Sequence, residues 1–186
     1  MQLETVLVSS EDEILQIHQL NQENLRDNLP ESEKKEQGFV SWHYPVGLLR
    51  KMHELAPSVI TKDGDKVVAY ALSLPKEASA FHRDLQTMFD HFGPIPYQGR
   101  SLLSYTFYCM GQICVDKRYR GKGIVQDLYQ KHKDIYSSRY ELFITEISLN
   151  NPRSQRAHEK VGFKVIHTYR DAMDEWNVVV WDWMRE

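Results

Sequence analysis

The feature that most constrains the fold is a loop that joins an apolar strand to a helix and holds two glycines among basic residues. The run is Val115-Asp116-Lys117-Arg118-Tyr119-Arg120-Gly121-Lys122-Gly123-Ile124. Such a turn presents unpaired backbone N–H groups at a helix N-terminus, where the helix dipole also favours an anion. Gly121 and Gly123 let the backbone approach phosphate oxygens without an intervening Cβ. The run therefore predicts a binding site for a diphosphate.

Two other phosphate-binding patterns do not match this loop. The dinucleotide fingerprint G-x-G-x-x-G needs a third glycine where the chain has Gln126. The nucleoside-triphosphate loop G-x-x-x-x-G-K-[ST] is absent from the sequence. For the loop taken alone, a solvated basic turn whose glycines only redirect the chain remains the alternative.

The rest of the composition is that of an ordinary globular protein. The 186 residues fit one domain, residues 1–186, and 41% of them are hydrophobic and 26% charged. A net charge of −3 gives no reason to expect nucleic acid or an anionic membrane as the main partner. The N-terminus lacks the layout of a signal peptide and no apolar run approaches the roughly 20 residues of a membrane helix, so we expect a cytoplasmic location.

Strands and helices alternate in the second half of the chain, which predicts a parallel strand pair joined by a right-handed crossover. Hydrophobic periodicity and turn residues predict strands at 5–8, 58–61, 67–72, 105–115, 142–149, 163–168 and 178–183. They predict helices at 11–25, 45–55, 81–92, 124–136 and 152–161.

The strand at 105–115 contains a glycine and both cysteines of the chain. An isolated glycine such as Gly111 often marks a β-bulge. Cys109 and Cys114 are five residues apart, and such residues point to opposite faces of a regular strand. We therefore expect no disulfide between them.

Two motifs together resemble the GNAT superfamily of N-acetyltransferases. Arg118, Gly121 and Gly123 match the superfamily's Q/R-x-x-G-x-G/A loop in order. One predicted strand later, Asn151-Pro152-Arg153-Ser154-Gln155-Arg156-Ala157-His158-Glu159-Lys160-Val161-Gly162-Phe163 is similar to its C-terminal motif, an Asn followed by a short helix that ends in Gly-Phe. The resemblance covers residues 67–180 well, and the histidine of the second motif resembles that of phosphinothricin-type relatives.

The resemblance implies an α/β GNAT fold, with a mixed central sheet of about seven strands, a splayed parallel central pair and flanking helices. It implies acetyl-CoA as cofactor, with no metal, and a pantetheine arm that inserts between the strands at 105–115 and 142–149. The implied cofactor-binding residues are Ile113, Cys114, Val115, Arg118, Tyr119, Arg120, Gly121, Lys122, Gly123, Ile124 and Asn151. Asn151 also suits a helix cap, from sequence alone.

Two residues are candidates for the catalytic chemistry. His158 stands where many members of the superfamily have a Tyr that protonates the leaving thiolate; packing near the cofactor sulfur is the alternative role. Glu146 lies among apolar residues of a predicted strand, so it is either paired structurally or functional as a base or amine anchor. Tyr108 and a water chain are alternative bases.

The acceptor is expected to bind in two irregular segments, 38–44 and 78–104, because long connections in a compact domain tend to carry binding roles. The candidate substrate-binding residues in them are Phe39, Trp42, Tyr44 and Tyr97.

The predicted function is transfer of an acetyl or other acyl group from acetyl-CoA to a primary amine by direct attack, in a monomer or homodimer. The acceptor is a small-molecule or peptide amine. A regulatory domain that binds acyl-CoA without catalysis and an unrelated nucleotide-binding module remain as alternatives at this point.

Overall fold

The computed structural model describes residues 2–32, 34 and 38–184. A mixed seven-stranded sheet runs through these residues in the order β1-β2-β3-β6-β7-β9-β8, and a separate hairpin joins β4 and β5. The strands of the sheet are β1 (Leu3–Leu7), β2 (Val59–Asp63), β3 (Lys66–Pro75), β6 (Phe107–Val115), β7 (Leu142–Ser148), β8 (Lys164–Arg170) and β9 (Glu175–Asp182). The hairpin consists of β4 (Pro96–Tyr97) and β5 (Arg100–Ser101).

Five α-helices with described bounds cover the two faces of this sheet. They are α1 (Glu11–Glu23), α2 (Val46–Leu55), α3 (Arg83–Phe92), α4 (Ile124–Tyr136) and α5 (Pro152–Val161). The apolar sides of α1, α2 and α3 share one hydrophobic core with one face of the sheet, and α4 packs into a second core on the other face. The α/β fold with a seven-stranded mixed sheet is confirmed, and the predicted elements differ from the structure mainly at their ends.

The parallel pair at the centre of the sheet separates partway along. β6 and β7 pair only from Phe107 and Leu142 to Cys109 and Ile144, although both strands continue beyond that point. Thr145 Oγ1 donates to the Met110 carbonyl at 3.0 Å, at the start of the opening. The predicted splayed pair is therefore present, and it leaves one edge of β6 open after Met110.

Gly111 lies at the predicted bulge in β6. Ser73 of β3 pairs with Met110 and Ala71 pairs with Ile113, so β6 carries one extra residue there. The extra residue reverses the alternation of side chains, and Cys109 and Cys114 both point into the core shared with α1. The expectation that they lie on opposite faces is wrong for this reason, but both thiols are free as expected.

The described residues contain no helix that is both long and apolar enough to cross a bilayer.

Candidate active site

A cleft of about 600 Å³ lies beside the glycine loop. The N-terminus of α4, one side of α5 and the end of β6 line it, and we call it the α4–α5 cleft. Gly121 and Gly123 in its wall have φ of +79° and +81°, and a Cβ built on either would meet no atom within 4 Å. Gly123 is the N-cap of α4 and provides no side-chain cap. The first turn of α4 therefore faces open space with its backbone N–H groups.

Only some of the basic side chains that were predicted to lie beside the diphosphate line the cleft. Arg118 forms two hydrogen bonds to the Asp116 carboxylate, at 2.6 and 3.1 Å, and Lys122 stands over the ring of Tyr119 at 5.1 Å. Neither Arg118 nor Lys122 is among the described residues that line the cleft. An acidic and an aromatic neighbour hold these two side chains outside the cleft, and their part in cofactor binding stays a prediction.

Other cations line the α4–α5 cleft instead. Arg120 lies in its wall, where Nε donates to the Val115 carbonyl at 2.9 Å and Nη2 donates to Asn24 Oδ1 at 2.8 Å. Arg153, Arg156 and Lys160 of α5 also line the cleft. Their spacing of three and four residues, which places side chains on one face of a helix, was a signal present in the sequence but not used.

The open edge of β6 forms the floor of the cleft. Asp116 N–H donates to the Val68 carbonyl at 2.9 Å, and in an antiparallel ladder the hydrogen-bonding direction alternates along the strand. The backbone groups of Cys114 therefore point to β3, and those of Ile113 and Val115 point to the open edge. Cys114 is thus corrected from a backbone ligand to a residue that lines the cleft without offering its N–H.

A second space, of about 460 Å³, lies on the other side of the opening between β6 and β7. Phe39, Trp42 and Tyr44, three of the candidate substrate-binding residues, line it together with parts of α3, β6, β7 and the β8–β9 turn. We call it the aromatic cavity. Tyr97 does not line it: its hydroxyl donates to Asp182 Oδ2 at 3.0 Å, because the β4–β5 hairpin packs at the distant end of the sheet.

Buried amides hold the aromatic wall in place. Asn21 of α1 donates to the Trp42 carbonyl at 3.0 Å and accepts from Tyr44 N–H at 3.2 Å. Gln112, at the bulge, donates to the same carbonyl at 2.9 Å and accepts from Asn21 at 2.7 Å. These two residues were not predicted, because the contact joins segments that are 91 positions apart in the chain.

Glu146 lies in the wall of the aromatic cavity, just past the point where β6 and β7 separate. Tyr169 donates its hydroxyl proton to Glu146 Oε2 at 2.5 Å. No ion pair among the described residues includes Glu146. Burial raises the pKa of Glu146 to about 7. Its structural partner is thus a neutral phenol, which leaves the carboxylate able to exchange a proton near neutral pH.

His158 is 2% exposed and borders both spaces. Its Nδ1 lies 2.8 Å from the Ser154 carbonyl and its Nε2 lies 2.5 Å from the Tyr129 hydroxyl. A carbonyl only accepts, so Nδ1 carries the proton and Nε2 accepts from Tyr129. Burial lowers the pKa of His158 to about 4, so the ring is neutral at physiological pH.

Tyr108, the alternative base, is fully buried in the core on the α4 side of the sheet. Its hydroxyl lies 2.8 Å from Nδ1 of His132, whose ring is also fully buried. Burial raises the pKa of Tyr108 well above its usual value. Neither residue is among those that line the aromatic cavity, so Tyr108 has no access to an amine there.

The two spaces meet at a common wall. The residues that line both are Phe39, Val40, Ile113, Asn151, Ser154 and His158. Asn151 caps α5 by accepting from Ser154 N–H at 3.2 Å and donates to the Phe39 carbonyl at 3.1 Å. The expected cap role is present, and the same side chain ties the aromatic wall to the start of α5.

A family model described as the acetyltransferase (GNAT) family matches residues 14–163. No curated protein sequence matches the chain. Several solved structures share its fold. The ribosomal-protein-S18-alanine N-acetyltransferase from Escherichia coli is 11% identical with a TM-score of 0.64, and the alignment covers 97% of this chain and 94% of that one.

Two further structures extend this comparison. A protein from Salmonella typhimurium, solved with its cofactor acetyl-CoA, is 12% identical with a TM-score of 0.62 and coverage of 99% and 95%. A spermidine N-acetyltransferase chimera from Vibrio cholerae and hSSAT is 12% identical with a TM-score of 0.58 and coverage of 100% and 98%. Identities this low establish the common fold alone.

Proposed function

The chain belongs to the GNAT acetyltransferase family, whose members are acyl-CoA-dependent N-acyltransferases, and we propose that it acetylates a primary amine held in the aromatic cavity. The observation that carries this proposal is the meeting of two differently built spaces where β6 and β7 separate. One space suits an anionic, extended donor. The other presents a carboxylate with a pKa near neutrality.

The residues of the α4–α5 cleft fit the donor. The open space over Gly121 and Gly123 and the uncapped first turn of α4 would receive the diphosphate. Arg120 and the basic face of α5 would balance its charge. Ile113 and Val115 would bind the pantetheine arm through the open edge of β6, although Arg120 already occupies the Val115 carbonyl. When bound, acetyl-CoA supplies the acetyl group as a thioester.

Glu146 is the proposed general base. An amine enters the cavity protonated, and the ionised carboxylate accepts one proton, directly or through a water, to free the nitrogen lone pair. The nitrogen then attacks the thioester carbonyl, a C–N bond forms, and the C–S bond breaks with its electron pair on sulfur. The nitrogen gives up its second proton to water as the neutral amide forms. Tyr169 keeps the Glu146 carboxylate oriented through its hydrogen bond of 2.5 Å.

His158 is assigned a packing role in this mechanism. Its ring is neutral and its one N–H proton is already donated to the Ser154 carbonyl. A thiolate whose parent thiol has a pKa of about 8.5 can leave without a proton donor and take a proton from water.

An acyl-CoA sensor without catalysis would retain the glycine loop and have no need of a formed acceptor space. The 460 Å³ cavity, with a carboxylate at its inner end and a hydrogen-bonded aromatic wall, supports the enzyme instead.

The experiment is thiol release from acetyl-CoA in the presence of a panel of primary amines. We expect the wild-type kcat/KM to fall as pH falls through about 7, because protonation of Glu146 removes the base. Glu146→Gln should lower kcat about 100-fold or more and remove that dependence, while acetyl-CoA still binds. Glu159→Gln, at an exposed position of α5, is the matched control and should behave as wild type. Unchanged kcat in Glu146→Gln would exclude Glu146 as the base.

A further inference from the structure

The two spaces differ in the charge of their walls. Arg120, Arg153, Arg156 and Lys160 line the α4–α5 cleft, with Asp127 as the one acidic residue among the described lining residues. The aromatic cavity is lined by three carboxylates, and no Lys or Arg of residues 2–32, 34 and 38–184 lines it. A ligand with a carboxylate of its own would be repelled there, whereas a cation would be attracted.

The three carboxylates lie at different depths. Glu146 is at the inner end, next to the opening of the sheet. Asp84 is in the first turn of α3, with its side chain 64% exposed and 3.8 Å from His82 Nδ1. Asp171 is an exposed residue of the β8–β9 turn. The cavity thus has one carboxylate at the reacting end and two at its mouth.

The carboxylate of Asp171 is held ionised by the turn. Its Oδ1 accepts from the backbone N–H groups of Met173 and Asp174 at 2.8 and 2.9 Å. Although burial acts to raise it, these hydrogen bonds keep the pKa of Asp171 below its ordinary value. Negative charge is therefore present at the mouth throughout the neutral pH range.

Between the two ends the wall is apolar and aromatic. Trp42, Tyr44 and Trp176 line this part of the cavity, and Trp176 is 6% exposed. Aromatic faces pack against alkyl chains and attract organic cations. An acceptor that matches the whole cavity has an amine at each end and a short alkyl chain between them.

We propose that the acceptor is a small diamine or polyamine. One amine is deprotonated by Glu146 and acetylated, and a second amine stays protonated at the mouth, between Asp84 and Asp171. The inference rests on the proposed acetyl transfer and narrows it, because a simple monoamine would leave the charges at the mouth unused.

The test compares two acceptors with the same number of heavy atoms, 1,4-diaminobutane and 1-aminopentane, at saturating acetyl-CoA. We expect kcat/KM to be at least about fivefold higher for the diamine, the size of one partly exposed ion pair. High salt should reduce this preference, because it screens charges at the mouth.

A double variant and a control variant test whether the preference for the diamine depends on the carboxylates at the mouth of the cavity. Asp84→Asn combined with Asp171→Asn should bring kcat/KM for the two amines to within about twofold of each other, because the neutral amides lose the ion pairs. Asn at 171 can still accept the two backbone hydrogen bonds of the turn. Asp90→Asn, on α3 but outside the cavity, is the matched control and should leave the preference unchanged.

Equal kcat/KM for the two amines in the wild type would overturn the inference. So would faster turnover of a peptide N-terminus or an α-amino acid than of the diamine. Either result keeps thiol release intact and leaves the proposed acetyltransferase function standing. Acetyl-CoA binding without thiol release for any amine would contradict the proposed function itself.

Discussion

The α4–α5 cleft and the aromatic cavity share a wall but offer their ligands different chemical groups. The cleft presents backbone N–H groups over Gly121 and Gly123, with cations around them. The cavity presents side chains, and buried amides of Asn21 and Gln112 hold its wall in position. A site made of backbone groups depends on the local conformation of the chain, so few substitutions in the loop would leave the site intact. A side-chain site can change its specificity residue by residue.

The largest effect should come from blocking the backbone of the cleft. Gly121→Val places a branched side chain in the open space and should weaken acetyl-CoA binding about 100-fold, the cost of one or two lost charge-assisted hydrogen bonds. Isothermal titration calorimetry measures this.

Gly99→Val is the matched control for that change. Gly99 has φ of +80° against +79° for Gly121, also with no atom within 4 Å of a built Cβ, and lies in the β4–β5 turn. Both variants should lose a similar free energy of unfolding, about 1–2 kcal/mol for a left-handed residue. If Gly99→Val weakened binding as much as Gly121→Val, general strain and not the lost approach would be the cause.

Substitutions at two nearby residues of the chain should have smaller effects, one on the aromatic cavity and one on the α4–α5 cleft. Asn21 contacts the aromatic wall, whereas Asn24, the C-cap of α1, accepts from Arg120 of the cleft. Asn21→Ala should raise the acceptor KM about fivefold to tenfold, and Asn24→Ala should raise the acetyl-CoA KM by a similar factor. Steady-state kinetics with each substrate varied in turn tests this. If either variant raised both constants equally, the two spaces would not be separable.

The smallest catalytic effect is expected at the shared wall. His158→Gln retains one acceptor and one donor for Tyr129 and Ser154, so kcat should stay within about threefold of wild type. A drop of about 100-fold would instead restore His158 as a catalytic acid.

The same variant should change stability at acid pH. The folded-state pKa of His158 is about 4, below the ordinary value of 6.5, so the unfolded chain binds this proton first as pH falls. The stabilisation is complete above about pH 6.5 and is lost toward pH 4, by roughly 3 kcal/mol for the wild type. Denaturant unfolding at pH 7 and pH 4.5 should show a smaller loss for His158→Gln.

The difference between a site made of backbone groups and one made of side chains also explains which features the sequence could predict. The glycine loop and the Asn151 motif are contiguous runs, and the backbone geometry they specify is present at α4 and α5. The side chains of Arg118 and Lys122 lie outside the cleft because a side chain in such a run can turn to a neighbour, here Asp116 and Tyr119. The motif fixes the path of the backbone and not the direction of each charge.

The aromatic cavity could be predicted only in part. Phe39, Trp42 and Tyr44 stood out as an aromatic run, but Asp84 and Asp171 reach the cavity from α3 and from the β8–β9 turn. No local pattern joins residues so far apart along the chain; the order of strands in the sheet brings them together. Without the strand order, the sequence could not show that Tyr97 lies in a separate hairpin, where its hydroxyl donates a hydrogen bond to Asp182.

The central claim is that donor and acceptor occupy the two spaces and meet where β6 and β7 separate. A crystal structure with CoA and 1,4-diaminobutane tests it most directly. We predict diphosphate oxygens at the first-turn N–H groups of α4, the thiol beside Ile113 and Ser154, and one amine facing Glu146. A CoA molecule in the aromatic cavity, or a diamine bound away from Glu146, would contradict the account.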